Sequence, residues 1–255
     1  MKQLFVFGLG YTASVIAREL RERGWTVTGT GGGGLPFDDE ARVRAGLAAA
    51  SHVLSSVPPA EGADPVLARY GEALNHNWFG YLSSTGVYGD TAGAWVDETA
   101  RTGGGRRSAR AEADAEWLRR GARVFRLPGI YGPGRSALER VREGKAHRID
   151  LPGQVFSRVH VDDIASGVLA ALDAPTGAYN LSDDLPCSQN AVIEEACRLV
   201  GVPMPPLQSL DKAGLSPAAR AFYAENRRVA NGKAKRVLGW QLRHPTYREG
   251  LRALR

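Results

Sequence analysis

Short apolar runs alternate with longer amphipathic stretches along the first half of the chain. The run Leu4–Phe7 is continuously apolar and ends at Gly8, which is typical of a buried strand in a parallel sheet. Further strands are predicted over residues 25–30, 35–37, 52–57, 79–83 and 122–126. Helices are predicted over residues 12–23, 39–49, 65–74 and 108–120, with a loop over 90–107. This alternation predicts an α/β fold with a Rossmann-like, doubly wound parallel sheet.

Composition places the chain among ordinary globular proteins. Its 255 residues are enough for one large domain, and 43% of them are hydrophobic and 24% charged. No apolar stretch approaches membrane-spanning length, so we expect no membrane partner and a cytoplasmic location. The net charge of +6 comes mainly from scattered arginines without a nucleic-acid-binding motif, which argues against nucleic acid as a partner.

The cysteines and histidines do not indicate a metal centre. Cys187 and Cys197 suit a reducing compartment, and Cys197 lies on the apolar face of a predicted helix, where it is expected to join the core. Neither cysteine has metal-ligand spacing, and the five histidines are dispersed. The sequence therefore predicts no metal site.

The first chemical motif lies between the first predicted strand and the first predicted helix. It fits the dinucleotide-binding pattern G-x-G-x-x-[G/A], with the residues Gly8, Gly10, Tyr11, Thr12 and Ala13. In this pattern the first glycine permits a tight turn and the second lets the backbone approach a pyrophosphate. The small last residue lets the helix pack closely, with its N-terminus facing the phosphates. These five residues are predicted to bind a dinucleotide.

The end of the second strand indicates which dinucleotide is used. An acidic residue there would favour NAD, but this strand ends at Thr30 and runs into the four glycines 31–34. Hydroxyl and backbone amide groups could hold the 2′-phosphate of NADP. We therefore expect NADP in preference to NAD, with Thr30 in the cofactor site. The alternative is that the glycines form a flexible loop without a recognition role.

Several segments resemble one known family in the family's own order. The segment Tyr81–Gly89 reads YLSSTGVYG, and it is followed by related segments at Arg126–Arg135, Arg158–Ala165, Gly177–Ser182 and Asn231–Trp240. Together they resemble the extended short-chain dehydrogenases/reductases, the NAD-dependent epimerase/dehydratase family. The glycine motif departs from the G-x-x-G-x-x-G that is usual in this family. The resemblance implies one NAD(P)-binding Rossmann-like domain over residues 1–255.

The resemblance also implies roles for individual residues. Ser84, with Thr85 beside it, would hydrogen-bond the reacting oxygen. Pro128 and Ile130 would line the nicotinamide pocket. Asp38 would lie beside the adenine, or alternatively cap the helix at 39–49. At the junction after the 158–160 segment, His160 and Asp162 are expected to be structural, as a strand residue and a helix cap.

The chain lacks the family's Tyr-x-x-x-Lys pair, which supplies the general acid. No tyrosine or lysine occurs between Tyr88 and Tyr131. The expected place falls on Arg106-x-x-x-Arg110 or on Ser108-x-x-x-Glu112, and an arginine stays charged and donates protons poorly. Tyr88 and Tyr131 remain as candidates, and we take Tyr131 with Ser84 and Thr85 as candidate catalytic residues.

The remaining segments predict a small C-terminal cap for a small-molecule substrate. They are residues 132–157 and 183–240, and Arg135 and Arg158 could bind an anionic group on that substrate. The chain is then an oxidoreductase or epimerase with an altered proton donor. The alternative is a non-catalytic NAD(P)-binding sensor or scaffold. A homodimer through helices that flank the sheet is possible, although the helix at 108–120 has a polar surface that also suits solvent.

Overall fold

A computed structural model describes residues 2–105 and 108–255. In chain order the strands are β1 (Gln3–Phe7), β2 (Thr26–Gly29), β3 (His52–Ser55), β4 (Trp78–Ser84), β5 (Trp95–Val96), β6 (Arg123–Leu127), β7 (Gly129–Tyr131), β8 (Arg148–Ile149), β9 (Arg158–His160), β10 (Gly177–Asn180), β11 (Leu207–Gln208) and β12 (Arg228–Val229).

The helices alternate with these strands. They are α1 (Tyr11–Glu22), α2 (Glu40–Ala49), α3 (Pro65–Tyr70), α4 (Ser108–Arg119), α5 (Ala137–Arg142), α6 (Val161–Ala170), α7 (Gln189–Val200), α8 (Pro217–Phe222), α9 (Gly232–Leu238) and α10 (Tyr247–Ala253). No helix in the described part of the chain has both the length and the apolar character needed to cross a membrane.

Six strands form one parallel sheet in the order β10-β6-β4-β3-β1-β2. Its strands are apolar on both sides because helices cover both faces, and two large apolar clusters fill the two layers. One cluster contains Ile16 of α1 and Ile164 of α6, and the other contains Val43 of α2 and Trp117 of α4. The predicted Rossmann-like, doubly wound fold is confirmed.

The strand order reverses at β1. The chain passes from β1 to β2 on one side and then returns to place β3 on the other side. In doubly wound sheets the crevice beyond the carboxyl ends of the strands at such a reversal is where ligands bind. Gly8 follows β1 and Ser56 follows β3 at this point.

Three predicted elements differ in the structure. Residues 35–37 do not form a strand, because only Leu35 makes a bridge, to Thr30, and Pro36 has no N–H to continue the pairing. The third helix ends at Tyr70 and continues as one 3₁₀ turn over Gly71–Ala73, where glycine weakens the helix. The predicted loop at 90–107 contains β5, which pairs with the distant β12.

The segments predicted as a cap add structure outside the six-stranded sheet, although Ala234 and Trp240 pack in the apolar cluster that contains Ile16 and Ile164. These segments contribute both strands of the small β8–β11 sheet and the strand β12, which pairs with β5 from outside them. Their helices α5 and α7 pack with α10 in a third apolar cluster. Cys197 is buried in this cluster. The boundaries of the cap, 132–157 and 183–240, stay a prediction.

Candidate functional site

A large cleft, about 1140 Å³, opens at the carboxyl edge of the sheet. Its lining contains many of the residues predicted from the sequence: Gly10, Tyr11, Thr12, Ser84, Thr85, Pro128, Ile130 and Tyr131. Four predicted cofactor residues are not part of the lining: Gly8, Ala13, Thr30 and Asp38. The cleft therefore joins the glycine motif, the end of β4 and the cap segments in one space.

The glycine motif forms a tight turn into α1. Gly8 has φ of +83°, a conformation that favours glycine, and the Ser56 hydroxyl donates a hydrogen bond to its carbonyl oxygen. A Cβ on Gly10 would have no atom within 4 Å, so the space beside Gly10 is open. Gly10 is also the N-cap of α1, and no side chain in the described part of the protein caps the first N–H groups of this helix. Uncapped N–H groups that face a cleft are suited to bind an anion such as a pyrophosphate.

Thr30 and the glycine run support this turn from below. Thr30 is 1% exposed, and its hydroxyl oxygen accepts the N–H of Gly8 at 3.1 Å. A Cβ on Gly32 would lie 2.1 Å from the carbonyl oxygen of Leu9, so Gly32 packs directly on the backbone of the glycine motif. Thr30 thus positions the turn through its own hydrogen bond, and its hydroxyl faces Gly8.

Asp38 does not cap the following helix. That role belongs to Asp39, whose carboxylate accepts the N–H of Arg42 at 3.2 Å. Asp38 is exposed, and its carbonyl oxygen accepts a hydrogen bond from Arg69. The capping alternative for Asp38 was therefore wrong by one residue, and its place beside an adenine stays a prediction.

Both serines at the end of β4 line the cleft, and their hydroxyls differ in hydrogen bonding. The hydroxyl oxygen of Ser84 accepts the N–H of Gly86 at 3.1 Å, which fixes the side chain and leaves its own hydrogen free to donate. Ser83 is different, because its hydroxyl donates to Asp114 at 2.6 Å in the protein interior. Ser84 therefore keeps a hydroxyl hydrogen that can be donated at the cleft, and its role toward a reacting oxygen stays a prediction.

Arg110 on α4 lines the cleft and contacts β4. Its guanidinium donates to the hydroxyl of Tyr81 at 3.0 Å. Burial raises the pKa of Tyr81 to about 12, so this phenol stays protonated. Ser108 and Glu112 are exposed and lie outside the lining, which favours the register that contains Arg110. The other member of that register, Arg106, lies outside the described residues.

The two candidate tyrosines have hydroxyls directed away from the cleft. The Tyr88 hydroxyl donates to Asn180 at 2.7 Å and accepts from Arg126 at 3.0 Å, deep in the protein. Tyr131 lines the cleft with its ring, but its hydroxyl lies against the backbone of Gly250 and has no hydrogen-bond partner among the described residues. Burial raises the pKa of Tyr131, with Asp183 and Asp163 adding to the shift.

A buried polar network beneath Ser84 escaped the sequence analysis. Its centre is the ion pair of Arg126 and Asp114, with two hydrogen bonds of 2.7 and 3.1 Å. Ser83 and Asn180 flank Arg126 in register on the neighbouring strands. The available signal was Arg126 itself, because a charged residue inside an apolar central strand requires a partner.

The cleft lining has more positive than negative side chains. Its described lining includes the arginines 110, 135, 140, 158 and 227 and the glutamates 139, 143 and 225. Glu225 pairs with Arg227 at 2.8 Å, and Glu139 completes the capping box of α5. Arg135 and Arg158 were predicted to bind an anionic group, and both line the cleft. The lining also includes polar residues that the sequence did not reveal: Arg140, His147, Gln189, Tyr223, Arg227 and Tyr247.

The junction before α6 brings together three groups of the kind that bind metals. Potential ligand atoms of His160, Asp162 and His244 lie within 4.8 Å of one another. Nδ1 of His160 accepts the N–H of Asp162 and so caps α6, and burial together with His244 lowers the pKa of His160 to about 4. The positive end of α6, with Arg18 and Arg243 nearby, opposes a bound cation. The arrangement favours the structural role expected for this junction, although the cap is His160 and Asp162 lies in the first turn.

Asp183 is expected to make stability depend on pH. Burial raises the pKa of its carboxyl from 3.8 to about 7, against the opposing charge of Arg158. The folded protein then holds a proton that the unfolded chain has lost, so stability falls as pH rises from about 4 to 7. Asp183→Asn is expected to gain stability over wild type across this range, by up to about 4 kcal/mol at pH 8.

The measurement is urea denaturation of both proteins at several pH values. His160 has the opposite dependence but is present in both proteins, so the difference between them isolates Asp183. A difference that stays constant from pH 4 to pH 8 would contradict the shifted carboxyl.

Comparison with known proteins gives matches across the whole chain. No family model matches the sequence. Protein YeeZ of Escherichia coli K12 is 28% identical over 96% of this chain and 97% of its own length. A 3-diazoavenalumate denitrifying reductase from Streptomyces is 31% identical over 140 residues, which span half of this chain and 45% of that protein.

Two solved structures show how closely the fold is matched. A functionally unknown conserved protein from Silicibacter pomeroyi is 42% identical, with a TM-score of 0.89 over 100% of this chain and 98% of that chain. Human epimerase family protein SDR39U1, solved with NADPH, is 16% identical, with a TM-score of 0.76 over 98% of each chain.

The fold is that of the extended short-chain dehydrogenases/reductases of the NAD-dependent epimerase/dehydratase type, as the sequence motifs predicted. Within this fold, the chain belongs to the same protein family as the conserved Silicibacter pomeroyi protein.

Proposed function

We propose that this protein binds NAD(P) and acts as an oxidoreductase or epimerase on a small anionic molecule. The observation that carries the proposal is the open turn at Gly10 beside the uncapped N-terminus of α1, at the reversal of the strand order. Structural neighbours support it, since several of them were solved with NADPH or NAD bound. The similarity to the Streptomyces reductase supports an oxidoreductase activity.

The residues of the cleft fit the parts of this cofactor. Gly10, Tyr11 and Thr12 would bind the pyrophosphate, and Pro128 and Ile130 would border the nicotinamide. Gly8, Ala13 and Thr30 would act indirectly by shaping the turn, since Ala13 is 1% exposed and packs α1 against the sheet. We propose NADP in preference to NAD because no acidic residue directly follows β2.

The catalytic residues would act on the substrate at the end of β4. When bound, the cofactor would supply hydride-transfer capacity. Ser84 would donate a hydrogen bond to the reacting oxygen, and Thr85 would border the same position. Arg110 would supply positive charge there without moving a proton. The Tyr131 ring would form a wall of the cleft, because its hydroxyl faces Gly250.

A non-catalytic sensor or scaffold is the second candidate, and one observation favours it. The chain has no tyrosine or lysine between Tyr88 and Tyr131, and the hydroxyls of both these tyrosines point away from the cleft. A protein of this kind would bind the dinucleotide tightly without turnover.

The test is calorimetric titration with NADPH and with NADH, followed by a search for turnover. We expect NADPH to bind more tightly than NADH. Stereospecific loss of deuterium from the nicotinamide C4 in the presence of carbonyl compounds would establish the oxidoreductase and eliminate the sensor. Absence of binding by either dinucleotide would overturn both candidates.

Two further expectations belong to this proposal. The free cysteines Cys187 and Cys197 support a reducing compartment such as the cytoplasm. A homodimer through the flanking helices would be compatible with this function, and nucleic acid is not among the partners that we propose.

A further inference from the structure

Two arginines are buried in the described part of the chain, and their surroundings differ. Arg126 is 3% exposed and Arg158 is 6% exposed. Arg126 has the carboxylate of Asp114 as a bidentate partner. Arg158 has no carboxylate within 4.0 Å among the described residues, although it lines the cleft. A buried cation without a close counter-charge is costly, so this arginine requires an explanation.

The hydrogen bonds of Arg158 leave part of its guanidinium unused. One terminal nitrogen donates to Sγ of Cys187 at 2.9 Å, and the other reaches the carbonyl oxygen of Cys187 at 3.5 Å. Its charge also lies 5.7 Å from the ring centre of Tyr247. A guanidinium has five N–H donors, so these contacts leave N–H groups for an acceptor that enters the cleft.

Asp183 is an acidic group that interacts with Arg158, but it neutralises the charge of this arginine only in part. Asp183 pairs with it through the backbone, since its N–H donates to the Arg158 carbonyl at 2.7 Å. Burial raises the pKa of the Asp183 carboxyl to about 7, so the group is partly protonated at neutral pH. Its Oδ2 atom has no hydrogen-bond partner among the described residues.

The first turn of α7 adds positive potential to the same part of the cleft. This helix has 12 residues, begins immediately after Ser188 and has no acidic residue in its first turn. Gln189 and Val192 from its start line the cleft with Arg158. The Ser188 hydroxyl accepts the N–H of Ala191. The remaining N–H groups at the start of α7, together with a guanidinium that has no carboxylate partner within 4.0 Å among the described residues, favour a bound anion.

From this geometry we infer that Arg158, assisted by the N-terminus of α7, binds a carboxylate group of the substrate. This inference rests on the proposed function and specifies its substrate class. A single guanidinium matches the charge of a monoanion and can bind two oxygens side by side. A phosphate dianion would bring a second charge for which this part of the cleft has no second buried cation among the described residues.

The position of Arg158 also restricts the size of the substrate. Arg158 pairs in register with Gly129, between Pro128 and Ile130, which border the proposed nicotinamide position. The carboxylate would therefore lie within a few atoms of the reacting centre. A small organic acid fits this arrangement, with its carboxylate at Arg158 and its reacting oxygen at Ser84.

The experiment compares benzoate with its neutral isostere benzamide, by calorimetry and thermal unfolding of the full chain. We expect wild type to bind benzoate and not benzamide, and Arg158→Gln to bind benzoate at least about tenfold more weakly. Arg158→Lys keeps the charge but loses the planar pair of N–H donors. Its affinity for benzoate is therefore expected to lie between those of wild type and Arg158→Gln. Arg142→Gln, at an exposed arginine outside the cleft lining, removes the same charge and should leave binding within about threefold of wild type.

The unliganded proteins provide a second readout. If Arg158 is kept for a ligand, Arg158→Gln unfolds at the same or a higher temperature than wild type, because a costly buried charge is gone. Equal benzoate binding by wild type and Arg158→Gln, equal binding of benzamide, or tighter binding of inorganic phosphate through Arg158 would overturn the inference. NADPH is titrated separately, so NADPH binding without benzoate binding refutes only this inference. Benzoate binding without NADPH binding refutes the proposed function.

Discussion

Asp114→Ala is expected to destabilise the protein by about 3–5 kcal/mol, because it leaves a buried guanidinium without its counter-charge. The side chains of Arg126 and Asp114 are 4% and 2% exposed, and Asp114 also accepts the hydroxyl of Ser83. Water cannot replace the lost carboxylate at this depth. Urea denaturation at neutral pH measures the change as a lower midpoint with an unchanged slope.

Glu116→Ala on the same helix is the matched control. Glu116 pairs with Arg119 and Arg120 at the surface, where ion pairs contribute about 1 kcal/mol or less. A loss of similar size in both variants would show that the buried network is not what stabilises this region. Because the network fixes Ser83 and Tyr88 on either side of Ser84, its loss is also expected to disturb the end of β4.

Gly10→Val is expected to lower the affinity for NADPH by at least about 100-fold, while the protein stays folded. Gly10 has φ of −85°, which valine adopts without strain, and its Cβ would enter open space. The added side chain would occupy the place where the backbone must approach the pyrophosphate. The cost to stability is about 1 kcal/mol or less, because valine is a poorer N-cap than glycine.

Gly104→Val controls for the addition of a side chain at an open glycine. A Cβ at Gly104 also meets no atom within 4 Å, and Gly104 is not part of the cleft lining. Calorimetry should show NADPH binding close to that of wild type for Gly104→Val and none for Gly10→Val. If Gly10→Val still bound NADPH, the dinucleotide site would have to lie elsewhere than at this turn.

The local features of the fold could be predicted because they depend on neighbouring residues. The strand at Leu4–Phe7, the glycine turn and the small residue at Ala13 follow from apolar runs and conformational preference. The position of the α2 cap was missed by one residue, since Asp38 and Asp39 are both suitable capping residues and only the path of the chain distinguishes them.

Features that depend on distant residues could not be predicted. Nothing local shows that Asp114 on a helix faces Arg126 on a strand, or that the hydroxyl of Tyr131 is directed at Gly250. Arg158 was recognisable as a possible anion ligand from its residue type. Its burial without a carboxylate depends on how β9 packs against α7 and α10, which the sequence pattern does not encode.

The two outer strands of the sheet affect how the molecule behaves at high concentration. On β2, the outward carbonyls of Val27 and Gly29 accept hydrogen bonds from Arg21 and from the N–H of Leu35. On β10, Lys233 donates to the carbonyl of Ala178, and Glu98 accepts the N–H of Asn180. A strand from another molecule would have to displace these bonds at either edge, so the fold carries its own protection against edge-to-edge aggregation.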